Sequence, residues 1–226
     1  MNVPPPNRQR RWPFRSPAST ALILPAAGLA LFFASAAAAQ DTVSKQQADS
    51  KLRYCEVCHG ASAQGFHGYY PIPRLAGQPT EYLKNQLQAF VERRRTSTIM
   101  FNVGHVLSPA MIDALTTDFN QLNPKPLGGG PKGNIDEGKK IFEEGVPQAN
   151  VPACASCHGP AAKGNGPFPR LAGQLYDYVT NKLTNWEKER GQNPAQPDVS
   201  AVMQPIAHSL TQPQIKAVAA YVSYLE

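Results

Sequence analysis

The sequence predicts an all-α fold built as two tandem units, and three observations carry that prediction. A five-residue pattern, C-x-x-C-H, occurs twice, as Cys55-Glu56-Val57-Cys58-His59 and as Cys154-Ala155-Ser156-Cys157-His158. A longer segment is doubled as well, Pro71-Ile72-Pro73-Arg74-Leu75-Ala76-Gly77-Gln78 against Pro167-Phe168-Pro169-Arg170-Leu171-Ala172-Gly173-Gln174, with seven of eight positions identical. Apolar residues elsewhere recur at helical spacing, and alternating apolar strands are missing.

The chain opens with Arg8, Arg10, Arg11 and Arg15, an apolar run from Ala18 to Phe33, and four alanines ending at Ala39. Residues 1–39 therefore read as a secretory signal, with cleavage expected near Ala39 and the mature protein expected to be exported. The run is nearly long enough to span a bilayer, so a retained anchor, and with it a membrane-associated protein, is the competing reading. Cleavage would leave 18 of the 22 basic residues against all 16 acidic ones, a net charge of +2. So small an excess gives no footprint for a nucleic acid.

The mature chain divides into a first unit at 40–123, a Pro- and Gly-rich linker at 124–133 and a second unit at 134–226. A helix from Val43 to Tyr54 is expected to enter the first motif directly. In the second unit a helix from Ile135 to Glu144 is followed by a loop through Pro147 and Pro152 that delivers Cys154. Beyond the doubled octapeptide, Tyr82 matches Tyr178, Asn85 matches Asn181, Leu87 matches Leu183 and Phe90 matches Trp186, the inward side of a helix in each unit. Ser108-Pro109 and Thr211-Gln212-Pro213 pair a capping hydroxyl with a proline in the first turn, and they open final helices ending near Leu122 and Leu225. Each unit of about 90 residues is small for an unaided core.

Two thiols three positions apart can each add to one vinyl group of a haem, and the His that follows can then ligate the iron. C-x-x-C-H is the attachment pattern for a c-type haem, so Cys55, Cys58 and His59, with Cys154, Cys157 and His158, predict two covalent haems. A thioredoxin-like pair, a zinc site and structural disulfides all use such cysteines, but none gives the adjacent His a role in both copies. Burial of a haem would supply the missing core, and without it neither unit is expected to fold well. Met100 and Met203 stand in matching loops before the last helix and are the candidate sixth iron ligands, as in electron-transfer haems. His105 and His208 also match each other and compete for that role, although exposure suits them better. His67 has no partner in the repeat and reads as a loop residue.

The doubled motif, the two P-x-P-R-L-A-G-Q segments and the late methionines resemble the dihaem class I cytochromes c, most closely cytochrome c4, over essentially the whole mature chain. The resemblance implies two tandem class I cytochrome c domains in a periplasmic, non-enzymatic carrier that takes electrons towards a terminal oxidase. A quinol:cytochrome c oxidoreductase or a dehydrogenase would be the donor, and peripheral membrane association stays open. It also implies that the carbonyls of Pro73 and Pro169 orient His59 and His158 through Nδ1. Arg74 and Arg170, with Tyr82 and Tyr178, would meet the haem propionates, the alternative being ordinary surface arginines and core tyrosines. The family often carries an aromatic residue in each last helix; here Tyr221 supplies one and Asp118 stands at the first-unit position, so the first unit's helix contact is expected to be looser. Two further functions compete: the dihaem subunit of a flavocytochrome c sulfide dehydrogenase or alcohol dehydrogenase, and a catalytic dihaem enzyme such as a thiosulfate dehydrogenase or peroxidase. The latter usually open one site, whereas both units here keep a Met. Finally, Arg93-Arg94-Arg95 is a charge run that would steer an acidic redox partner to the first haem.

Overall fold

Hydroxyl caps and glycine stops set where the helices begin and end. The structure, a computed structural model, describes residues 42–190 and 199–226; the leader at 1–39, its cleavage and the anchor reading lie outside the described residues. Ser44 opens α1 (Lys45–His59) with a reciprocal capping box to Gln47. The helix starts two residues later than expected and runs through the whole first motif, so both thiols and the imidazole sit on its last two turns. Gly60, at φ 87°, ends it in a conformation that costs a side-chain-bearing residue energy.

In the second half the first helix and the motif are separate. The helix α5 (Ile135–Glu144) stops at Gly145, a 3-10 turn (Pro147–Ala149) follows, and the motif occupies a short α6 (Ala155–His158). Each motif leads through its octapeptide to a middle helix, α2 (Thr80–Val91) in the first half and α7 (Tyr176–Thr184) in the second, the latter continued by α8 (Trp186–Glu189). Short helices α3 (Thr98–Gly104) and α9 (Met203–Ser209) precede the long final helices α4 (Pro109–Gln121) and α10 (Gln212–Tyr224). Ser108 and Thr211 cap the latter two, with Pro in each first turn. Among the described residues the only extended pairing is four isolated bridges, so the fold is all-α.

Two apolar cores form, one per half. Ala63, Ala76, Leu83, Leu115 and Phe119 centre the first. Ile141, Phe142, Val151, Val179, Ile215, Val218 and Val222 centre the larger second one. The most buried residues of α2 are Leu83, Gln86, Ala89 and Phe90; of the expected register Phe90 is buried, Tyr82 and Leu183 pack half-buried on the first and second cores, Asn85 and Leu87 are half-buried, and Asn181 is exposed on α7. The first and last helices meet most closely in the second half, where a Cβ on Gly138 would lie 2.0 Å from the Ala217 carbonyl oxygen. Phe142 and Tyr221 close that crossing with ring centroids 5.6 Å apart. The first half has the buried Ala48 on α1 and Asp118 on α4 instead, and a groove of about 500 Å³ lies beside Ser50, Tyr54 and Met111.

The halves are joined through the octapeptides. Gln78 donates from Nε2 to the Arg170 carbonyl at 2.8 Å and accepts from the Arg170 N–H at 2.9 Å. Gln174 treats Arg74 the same way, at 3.0 Å and 2.8 Å. The linker is packed rather than free, since Arg74 holds the Pro124 carbonyl and the Tyr224 hydroxyl donates to the Gly130 carbonyl at 2.6 Å.

Candidate haem sites

The elements around each motif produce a buried imidazole with one ring nitrogen committed. His59 is 7% exposed and His158 5%. His59 donates from Nδ1 to the Pro73 carbonyl at 2.9 Å, and His158 donates from Nδ1 to the Pro169 carbonyl at the same distance. A carbonyl only accepts, so Nδ1 carries the proton and Nε2 keeps its lone pair. Burial is the main force lowering both imidazoles' proton affinity, opposed by the proline carbonyls. The charge of Arg95 lowers His59 further, and has no counterpart at His158. Neutral imidazoles with a free Nε2 and a carbonyl behind Nδ1 suit an iron ligand.

The thiols differ within each pair. Cys58 and Cys157 are exposed, whereas burial pushes the half-buried Cys55 and Cys154 up to about 11. A thioredoxin-like nucleophile needs the opposite shift. Among the described residues no group of three or more His, Cys, Asp or Glu side chains gathers at a possible metal site.

Met100 and Met203 lie on helices, not in loops: Met100 on the first turn of α3, its N–H received by Ser97, and Met203 as the first residue of α9. Both are half-buried. His105 and His208 are exposed; His105 donates to the Phe101 carbonyl of its own helix, and His208 lies 3.6 Å from Glu187. His67 is exposed and 3.7 Å from Asp177 of the second half.

The arginines change most from their sequence reading. Arg74 and Arg170 are buried, at 1% and 5% exposure, so neither is an ordinary surface residue. Arg74 spends its guanidinium on the carbonyls of Ala76 and Pro124 and on Asn123. Arg170 donates to the Ala172 carbonyl, but its Nη2 is buried with no protein partner. An orphaned buried cation donor is costly, and a haem propionate is the kind of group that satisfies it. Arg95 is no steering charge either. It is 7% exposed, stacks on Phe90, and donates to Gln86 at 2.8 Å and to the Tyr178 hydroxyl of the second half at 2.7 Å. Gln86 Oε1 also accepts from Arg190 Nη2 at 2.8 Å. Of the run, only Arg93 is exposed, lying over Phe101, while Arg94 reaches Glu92. Sequence reasoning missed this Arg95–Gln86–Arg190 cluster and the two glutamine clasps. A signal existed: Phe90 and Trp186, matched in the repeat, each precede the arginine that stacks on them.

Helices wrapped round a motif of two cysteines and a buried, carbonyl-backed imidazole define a c-type cytochrome, and comparison with known proteins agrees. Residues 135–226 match the cytochrome c family. The chain is 39% identical over 199 residues to cytochrome c-552 of Acidithiobacillus ferridurans, covering 83% of each chain. It is 34% identical to the thiosulfate dehydrogenase electron acceptor of Thiomonas intermedia, over 75% of this chain and 77% of that one. The solved cytochrome c4 of Acidithiobacillus ferrooxidans superposes with a TM-score of 0.65 at 39% identity, covering 76% of this chain and 98% of that one. The chain belongs to the cytochrome c4 family of dihaem class I cytochromes c, electron-transfer proteins that carry covalent haem c.

Proposed function

We propose that this chain is a periplasmic electron carrier of a respiratory chain. It takes electrons from a quinol:cytochrome c oxidoreductase or a dehydrogenase and passes them towards a terminal oxidase. The observation that carries the reading is the pair of equivalent buried imidazoles, His59 and His158, each fixed through Nδ1 to a proline carbonyl. In this reading Cys55 and Cys58 hold one haem and Cys154 and Cys157 the other. His59 with Met100, and His158 with Met203, ligate the irons. The haem iron supplies a one-electron couple when bound, and histidine with methionine raises its potential. The protein's part is to keep both imidazoles neutral and aimed, to keep water away from them, and to hold the two sites in one rigid body through the glutamine clasps.

A second reading has a specific observation behind it, since one relative is named as the electron acceptor of thiosulfate dehydrogenase. Under it the donor is one dedicated dehydrogenase of the same compartment. Stopped-flow reduction of the oxidised holoprotein by a quinol:cytochrome c oxidoreductase and by a thiosulfate-oxidising dehydrogenase separates the two. Fast reduction by both supports the general carrier, and reduction by the dehydrogenase alone supports the dedicated acceptor. Reduction by neither, with both haems present, would sink both readings.

A further inference from the structure

The glutamine clasps close on the same peptide groups that hold the histidines. The Pro73–Arg74 peptide accepts from His59 Nδ1 through its carbonyl at 2.9 Å and donates through its N–H to Gln174 Oε1 at 2.8 Å. The Pro169–Arg170 peptide does the same, its carbonyl accepting from His158 Nδ1 at 2.9 Å and its N–H donating to Gln78 Oε1 at 2.9 Å. One planar amide therefore lies between each imidazole and a side chain of the opposite half. Both glutamines are buried, which keeps water from competing for these amides. Each is fixed at its other end too: Nε2 donates to the carbonyl of the same arginine, and Gln174 Oε1 also accepts from the Leu175 N–H at 3.1 Å. A backbone N–H only donates and a carbonyl only accepts, so the orientation of each carboxamide is dictated.

We propose that Gln174 is a positioning residue for His59 and Gln78 for His158, each acting across the seam through one peptide group to set the reduction potential of the other half's haem. An amide whose N–H is engaged carries more negative charge on its oxygen, and chained hydrogen bonds strengthen one another by about 10–30% per bond. A stronger acceptor behind Nδ1 makes the imidazole a more basic ligand, and a more basic ligand favours oxidised iron. The clasps therefore lower the potential of both haems, and they do so only while the two halves are docked. The inference rests on His59 and His158 as the iron ligands of the proposed carrier.

The test is a spectroelectrochemical titration of the holoprotein and its variants, with each wave assigned from the shifted haem-methyl resonances, together with proton NMR of the two Nδ1–H groups in the reduced state. Gln174→Met keeps the side-chain length and removes the acceptor. It should raise the potential of the first haem, move the His59 Nδ1–H resonance upfield and speed its exchange, with smaller changes at the second haem. Gln78→Met should do the reverse, moving the second haem and His158. A merely structural role would not give this crossing, because loosened packing disturbs the substituted half or both halves alike. A variant that leaves the opposite haem unmoved, or moves its own haem more, would overturn the proposal. Should neither variant assemble, hydrogen exchange in the parent holoprotein decides: His59 Nδ1–H and Arg74 N–H exchanging together as the seam opens support the coupling, and independent rates refute it. Parent spectra showing that His59 and His158 do not ligate iron would sink the carrier reading itself, whereas ligated imidazoles with unmoved potentials count against the glutamines alone.

Discussion

Gln78 and Gln174 hold the molecule together by the same action in opposite directions. Each closes both backbone hydrogen bonds of the arginine at the matching position in the other half, so the seam has an approximate two-fold symmetry. All four bonds are buried, and cutting one side chain strands an N–H and a carbonyl together. Gln78→Ala should therefore cost about 2–4 kcal/mol, read as a lower denaturation midpoint of the holoprotein. The double variant with Gln174→Ala should cost less than the sum of the two singles, because opening one clasp loosens the other. Additive or negligible losses would mean that the seam is held elsewhere.

The axial assignment is open to direct test. Met100→Ala and Met203→Ala should each convert one haem to high spin or to a replacement ligand and leave the other low spin, seen in the near-infrared band of methionine-ligated iron(III). Unchanged spectra in both variants would return His105 and His208 to candidacy, although both are exposed and His105 is hydrogen-bonded within its own helix.

Attachment can be weighed. Mass spectrometry of the exported protein should show two haems on a chain beginning near Gln40, and Cys55→Ala combined with Cys58→Ala should remove one of them. An intact chain from Met1 in the membrane fraction would instead establish an anchored protein.

The unequal helix crossings predict unequal stability. Gly138→Ala drives a methyl group into the Ala217 carbonyl and should cost about 2–3 kcal/mol. At the looser crossing of the first half, Ala48→Gly should cost only about 1 kcal/mol, the backbone entropy of a helical glycine. Amide hydrogen exchange should accordingly show α1 opening before α5. Equal protection of the two helices would contradict this.

The sequence showed chemistry more readily than placement. The cysteines and histidines are legible because repetition marks what both halves need, the prolines behind the histidines only through the family resemblance, and the final helices because a capping hydroxyl and a proline leave a local signature. What could not be read was which copies touch. Gln78 and Gln174 stood in plain view in the octapeptide, but an alignment of two segments does not say that they face each other. Arg95 was misread for a related reason. Three consecutive arginines usually point to solvent, and only the docking of Tyr178, 83 positions away, turns one of them inward. The methionines were assigned to loops because α3 and α9 are too short for apolar periodicity to reveal.

The clasp between the octapeptides is self-complementary: each surface recognises a copy of itself, which is how identical subunits pair. A single unit of this kind would thus already possess the contact for a homodimer, held at the mercy of its own concentration. Joining two units through residues 124–133 makes that encounter intramolecular, at an effective concentration in the millimolar range for a short tether. Fusion also frees the copies to diverge. One partner of a symmetric pair cannot change a residue without the other changing it too, but two halves of a tandem chain can: Gln86 accepts from both Arg95 and Arg190, while Lys182 at the matching position pairs with Glu189.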